Sequence, residues 1–246
     1  MYHVRDRRCE ELSGQAVGKG AAYIFIETAI GLLSGYLLWI TLARIASPEI
    51  IGTSSAAISI ATMFATIATM GIPTGVSRFL AKSFYEKNLS MSRRFVYDSV
   101  VLIFVGILGS VLLLFVINEW FYVTLDRTLL IFVMLLIGAS TIAKLFNSVI
   151  VASLDTRIIP IVMLIVASTR TILVIVLVLM NTGAIGVLTG YVCFEVLSST
   201  LLAIVVLRML RTANNSKDTP KISHSFKSVL NASIPFWIPK LITVLS

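Results

Sequence analysis

Residues 128–152 read TLLIFVMLLIGASTIAKLFNSVIVA, and their one charged residue is Lys144. A bilayer core about 30 Å thick is crossed by roughly 20 predominantly apolar residues in helical form. This stretch is long enough and apolar enough to be such a span. Five further runs of the same character flank it: Gly20–Ile45, Ile51–Ile72, Tyr97–Ile117, Ile158–Met180 and Ala184–Leu207. The expected fold is all-α, a polytopic membrane helix bundle with six transmembrane helices and the start of a seventh. Four segments follow: a basic N-terminal stretch (1–19), a six-helix lobe (20–207), a basic linker (208–227) and the beginning of helix seven with a second lobe (228–246).

Composition supports this reading. Hydrophobic residues make up 57% of the chain, charged residues 13%, and the mean hydropathy is +0.96. An ordinary soluble domain carries about 25% charged residues. The net charge of +8 does not point to nucleic acid, because the basic residues gather in alternate loops. Arg5, Arg7, Arg8 and Lys19 precede the first run. Arg78, Lys82, Lys87, Arg93 and Arg94 follow the second, Arg157 the fourth, and Arg208, Arg211, Lys217, Lys221 and Lys227 the sixth. If the runs alternate across the bilayer, all of these fall on one side, and only Arg44 and Arg127 lie near the other. The positive-inside rule then places the N-terminus and the basic loops in the cytoplasm of a cell membrane. Trp39, Trp120, Phe121 and Tyr122 sit at the opposite boundary, as an aromatic belt would.

The first run is too long for the apolar core of a signal peptide and lacks a small-residue cleavage site, so it reads as a retained span. Cys9 and Cys193 have no partner at metal or redox spacing and read as free thiols. The sequons at Asn88, Asn214 and Asn231 fall in the cytoplasm or the membrane and read as chance matches. Residues 226–246, FKSVLNASIPFWIPKLITVLS, turn apolar at Val229 and contain Pro235 and Pro239. This end reads as an interrupted seventh span or as a re-entrant or interfacial segment.

No enzyme signature is present: no HExxH, GxSxG, P-loop or dinucleotide fingerprint. His3 and His224 have no ligand-spaced partners, so no catalytic residue, metal site or cofactor is expected. The residues of interest are charges inside the spans: Glu27 in the first, Lys144 in the fourth, Arg170 near the middle of the fifth and Glu195 near the middle of the sixth. A charge at the bilayer centre costs at least about 2.5–3.5 kcal/mol, so it normally faces protein or a watery cavity. All four lie from a third to halfway across from the basic side, where a vestibule open to the cytoplasm would place them. Two roles compete. Arg170–Glu195 and Lys144–Glu27 could be ion pairs that fix packing. Alternatively, Lys144 and Arg170 offer positive charge to an anionic substrate, the planar Arg fork suiting phosphate. Glu27 and Glu195 would then hold a coupling cation or proton.

Small residues give weaker signals. Gly31-x-x-x-Gly35 and Gly186-x-x-x-Gly190 permit close helix approach. Gly71, Pro73 and Gly75 read as a stop that ends the second helix at the cytoplasmic surface.

The stretch Gly18–Lys87 resembles the start of polysaccharide flippases of the multidrug/oligosaccharidyl-lipid/polysaccharide exporter superfamily. The resemblance rests on Leu42, Ala43 and Arg44, then Pro48, Glu49 and Gly52 at the first outer turn. It continues through Gly71, Pro73 and Gly75 into the basic, aromatic run Arg78–Phe79. Ser233-Ile234-Pro235 is similar to the start of the family's seventh helix. The resemblance implies about twelve to fourteen helices in two lobes that rock against one another in alternating access. It implies that a polyprenyl (pyro)phosphate-linked oligosaccharide crosses from the cytoplasmic to the outer leaflet for surface glycan synthesis. It also gives Glu27 a functional role, since acidic residues recur in the family's first helix. This chain holds one lobe, so the missing C-terminal lobe or a second copy is an expected partner, along with the bilayer and the substrate. The alternatives are a cation-coupled drug or metabolite exporter of the same superfamily, a non-transporting truncated membrane protein, and, more distantly, an embedded transferase. Basic cavity charges favour the flippase over the exporter.

Overall fold

The computed structural model describes residues 2–85, 89–120, 126–153 and 156–212. The residues of the linker beyond Thr212 and of the expected seventh span lie outside the described residues. Among the described residues every element is helical: α1 Tyr2–Ile45, α2 Pro48–Thr69, α3 Ile72–Tyr85, α4 Leu89–Trp120, α5 Arg127–Ala152, α6 Ile158–Leu179 and α7 Gly183–Thr212. Six of them are long and apolar enough to cross a membrane, and each overlaps one of the six runs read from the sequence. Helices are the expected solution here, because a helix satisfies its own backbone hydrogen bonds where no water is available. Three boundaries differ by more than a turn from the sequence reading. The basic N-terminal stretch continues α1 back to Tyr2, α4 begins at Leu89 rather than Tyr97, and α7 extends through Arg208 and Arg211 into the segment read as linker.

The α1–α2 turn is closed by Ser47, whose hydroxyl accepts from the Ile50 N–H at 3.4 Å, with Pro48 in the first turn of α2. Serine caps and first-turn prolines are favoured for this geometry. The second helix ends where expected but is not followed by a simple loop. Met70 (φ 45°) and Gly71 (φ 70°) are left-handed, and the chain at once re-enters a helix, α3. Pro73 stands in the first turn of α3, where a missing N–H is harmless. Ile72, Val76 and Leu80, spaced by four, are all buried, and Phe79 stacks on Phe95 of α4 with ring centroids 5.7 Å apart. The Gly-Pro-Gly segment is thus a corner between a span and a short helix packed on α4 and α5. Its 3.6-residue periodicity was masked by the strength of the breakers.

The fifth helix is the hub. Half of its span is buried, against 6% for α1. Lipid is as apolar as leucine, so helix association in a membrane relies on close packing and on hydrogen bonds between helices. Ala57, Ala61, Ala65 and Ala68 line the buried side of α2. Where α2 meets α4, a side chain at Gly106 would run into the Ala68 carbonyl. Ser110 of α4 donates to the Phe64 carbonyl of α2 at 2.8 Å. The α6–α7 contact uses Gly190 against Val174 and Gly186 against Leu177 and Thr182. That pair of glycines is a true close-approach motif. Gly31 meets Met163 on α6, whereas Gly35 has open space beside it.

One apolar cluster joins α3, α4, α5, α6 and α7 around Leu145, Val149 and Leu202 on the side where α3 lies. A second joins α2, α4, α5 and α7 around Val133 and Leu188. A third ties the far half of α1 (Leu38, Leu42) to α6 and α7. Among the described residues, no α1 side chain before Leu38 belongs to these buried clusters, and Glu27 and Ser34 lie along that stretch.

Candidate functional site

Positions seven apart share a helix face. On α1 these are Glu27 and Ser34, with Gly31 between them. On α6 they are Met163 and Arg170. On α7, Tyr191, Phe194, Glu195 and Ser198 occupy one side over two turns. On α5, Lys144 and Asn147 lie one turn apart. These four faces converge. Asn147 donates from Nδ2 to Glu27 Oε1 at 3.0 Å, tying α1 to α5. Arg170 donates from a terminal guanidinium nitrogen to Ser34 Oγ at 3.1 Å, tying α1 to α6.

Beside the Glu27–Asn147 tie lies a cavity of about 160 Å³. Glu27, Lys144, Asn147, Glu195 and Ser198 supply its polar lining. Ile159, Val162, Met163, Phe194 and Leu202 supply the apolar part. It occupies the half of the bundle nearer α3, since Ile159 opens α6 on that side. Three of the four charges singled out in the sequence therefore share one cavity. Lys144 is the most open of them, and Glu27 and Glu195 are half-buried. Lys144 and Arg170 are the cations whose charges act on the Glu195 carboxylate. Glu27 takes its hydrogen bond from an amide, so Asn147 joins Lys144 as a candidate partner for it.

Arg170 is placed differently. It is only 7% exposed and does not line the cavity. Its guanidinium carbon lies 5.0 Å from the Tyr191 ring centroid and 4.6 Å from that of Phe194. Such stacking on aromatic rings stabilises a cation away from water. Its Nε has no hydrogen-bond partner.

Sequence reasoning missed Asn147, Ser34, Tyr191 and Phe194. Asn147 and Ser34 stand one and two turns from Lys144 and Glu27, but nothing local in the sequence marks them as partners. The aromatics were indistinguishable from lipid-facing ones. Among the described residues, no three His, Cys, Asp or Glu side chains are grouped to hold a metal ion.

This is a membrane helix bundle with a small charged cavity inside, and its sequence matches the model of the polysaccharide biosynthesis protein family over residues 17–246. The chain belongs to that family. No curated protein matches it at a significant level. Among solved structures it is similar to a MOP superfamily transporter from Pyrococcus furiosus Vc1 (DSM3638), for which a reversed polarity of the binding pocket suggests a different function. The TM-score is 0.67 at 13% sequence identity, over 94% of this chain and 52% of that one. At this identity the likeness shows the fold alone. The chain spans about half the length of that transporter. Family membership and fold both agree with the flippase-type resemblance of the Gly18–Lys87 motifs.

Proposed function

We propose that this chain is the N-terminal lobe of a carrier that moves a polyprenyl (pyro)phosphate-linked oligosaccharide across the cell membrane for surface polysaccharide synthesis. The observation that carries the reading is the cavity, in which Lys144 faces Glu27, Asn147 and Glu195 within an otherwise apolar bundle of this family. A lysine held there gives a phosphate a point of positive charge in a medium of low dielectric, where the attraction is far stronger than in water. With Arg170 alongside, the two carboxylates offset the two cations when the site is empty, and they are groups that could take up a coupling proton or cation as the anion leaves. Transport needs a second lobe, or a second copy, for this one to rock against. The basic loops orient the cavity toward the cytoplasm, where lipid-linked precursors are assembled.

The test is flipping of a fluorescent polyprenyl-diphosphate sugar by the full-length protein in vesicles. Lys144→Glu should lower the initial rate at least tenfold while the protein still inserts and elutes as the wild type does. A rate within twofold of wild type would overturn the assignment of Lys144 to the substrate.

A second reading rests on a specific observation. Two carboxylates line the cavity against one lysine, and Asn147 Oδ1 has no hydrogen-bond partner. Such a lining also suits an organic cation, as in the exporters of the superfamily. Uptake of a lipophilic cation into the same vesicles, lost in Glu195→Gln and unaffected by Lys144→Glu, would favour it.

A further inference from the structure

One side chain is shared by the cavity and the Arg170 guanidinium: Phe194 lines the cavity, and its ring stacks on Arg170. The guanidinium is held in a fixed orientation. One terminal nitrogen is bonded to Ser34, and Tyr191 and Phe194 cover it. A planar guanidinium receives phosphate at its edge, through a pair of N–H donors. Among the guanidinium donors, Nε–H is buried and unpartnered, in a protein interior where buried donors are almost always paired.

The two aromatic walls are not equivalent. Tyr191 packs into two of the apolar clusters. Phe194 packs against a single cluster, has no polar tie, and has the cavity on its open side. Rotation of the Phe194 ring off the guanidinium would leave Arg170 open toward the cavity with no change in Tyr191.

Building on the cavity as an anion site, we propose that Arg170 is a second, occluded subsite for a phosphate-type anion, and that the Phe194 ring is the shutter that controls access to it from the cavity. An arriving diphosphate first meets Lys144. The ring then swings aside, and the stacking it loses on Arg170 is replaced by charge-assisted bonds from the guanidinium edge to the anion. Glu195, one residue along α7 from the shutter, is the counter-charge that the anion displaces from Arg170.

The experiment is pyrophosphate binding to the intact protein in nanodiscs by titration calorimetry, together with the rate at which phenylglyoxal modifies Arg170, read by mass spectrometry. In the wild type, modification of Arg170 should be slow. Phe194→Ala should speed it at least fivefold and tighten pyrophosphate binding about tenfold. Adding Arg170→Gln to Phe194→Ala should abolish that gain. Phe194→Leu keeps apolar volume and covers the case in which the alanine variant fails to fold; it should show the same trend. Unchanged modification rates in both shutter variants would overturn the proposal, as would a gain in affinity that survives Arg170→Gln. Lys144→Gln tests the underlying reading separately. If it leaves pyrophosphate binding of the wild type untouched, the cavity is not the anion site, whatever Phe194 does.

Discussion

Glu27 and Arg170 show how a charge survives within a membrane span. Each is met by a neutral polar side chain on another helix, Asn147 and Ser34 respectively, so hydrogen bonds hold the stretch of α1 from Glu27 to Ser34, while Leu38 and Leu42 anchor its far half by burial. Glu27→Gln keeps an acceptor for Asn147 and removes the charge. We expect its thermal stability to stay close to wild type while flipping falls at least fivefold; equal transport by the two would show that Glu27 serves packing only. Asn147→Leu instead strands the Glu27 carboxylate without its donor, which costs about 1–3 kcal/mol for a buried polar group. A lower melting temperature of that variant, checked by fluorescence-detected unfolding, would confirm the pin. The positions of Glu27, Lys144, Arg170 and Glu195 could be read in the sequence because charges in apolar runs stand out. Their partners could not, since an Asn, a Ser or a Phe is unremarkable until another helix is placed against it.

Helix geometry decides what small residues do. Gly106 and Gly35 look alike in sequence, each a glycine in an apolar run. Only Gly106 faces a neighbour's backbone, the Ala68 carbonyl. Gly106→Ala should therefore destabilise by about 1–3 kcal/mol through overpacking. Gly35→Ala should be neutral or stabilising by up to about 1 kcal/mol, because alanine is the better helix former. Thermal unfolding of the two variants in the same detergent checks the contrast, and equal melting temperatures would contradict it. The corner between α2 and α3 gives the reverse case. Met70 holds a left-handed conformation (φ 45°) that costs a non-glycine residue about 1–2 kcal/mol. Met70→Gly should raise stability by roughly that amount, less the entropy glycine gains when unfolded. The same corner explains why α3 was not legible. Gly71 and Pro73 are strong breakers, and nothing local says whether the chain stops or turns into a new helix. That is settled by the buried stripe Ile72, Val76 and Leu80 finding α4 and α5 beneath it.

Across the whole molecule, the alternation of six spans makes a topological prediction. Reporters fused after Asn88 and after Asp155 should report one side of the membrane, and a reporter after Trp120 the other. By the positive-inside rule the first two are cytoplasmic. A cytoplasmic signal from the Trp120 fusion would sink both the span count and the orientation. Among the described residues, the number of candidate spans and their approximate limits were determined by the sequence alone, because the thickness of the bilayer sets one length scale that every crossing helix must meet. Family was legible too, in the punctuated stretch from Leu42 to Phe79. Which faces of those spans meet was decided only by tertiary structure. Between helices in lipid there is no hydrophobic gradient to read, so an apolar residue bound for the core and one bound for lipid are chemically the same. The cavity, the Asn147 and Ser34 ties and the aromatic cover over Arg170 all depend on that choice, made by close packing at glycine and alanine and by a few interhelical hydrogen bonds.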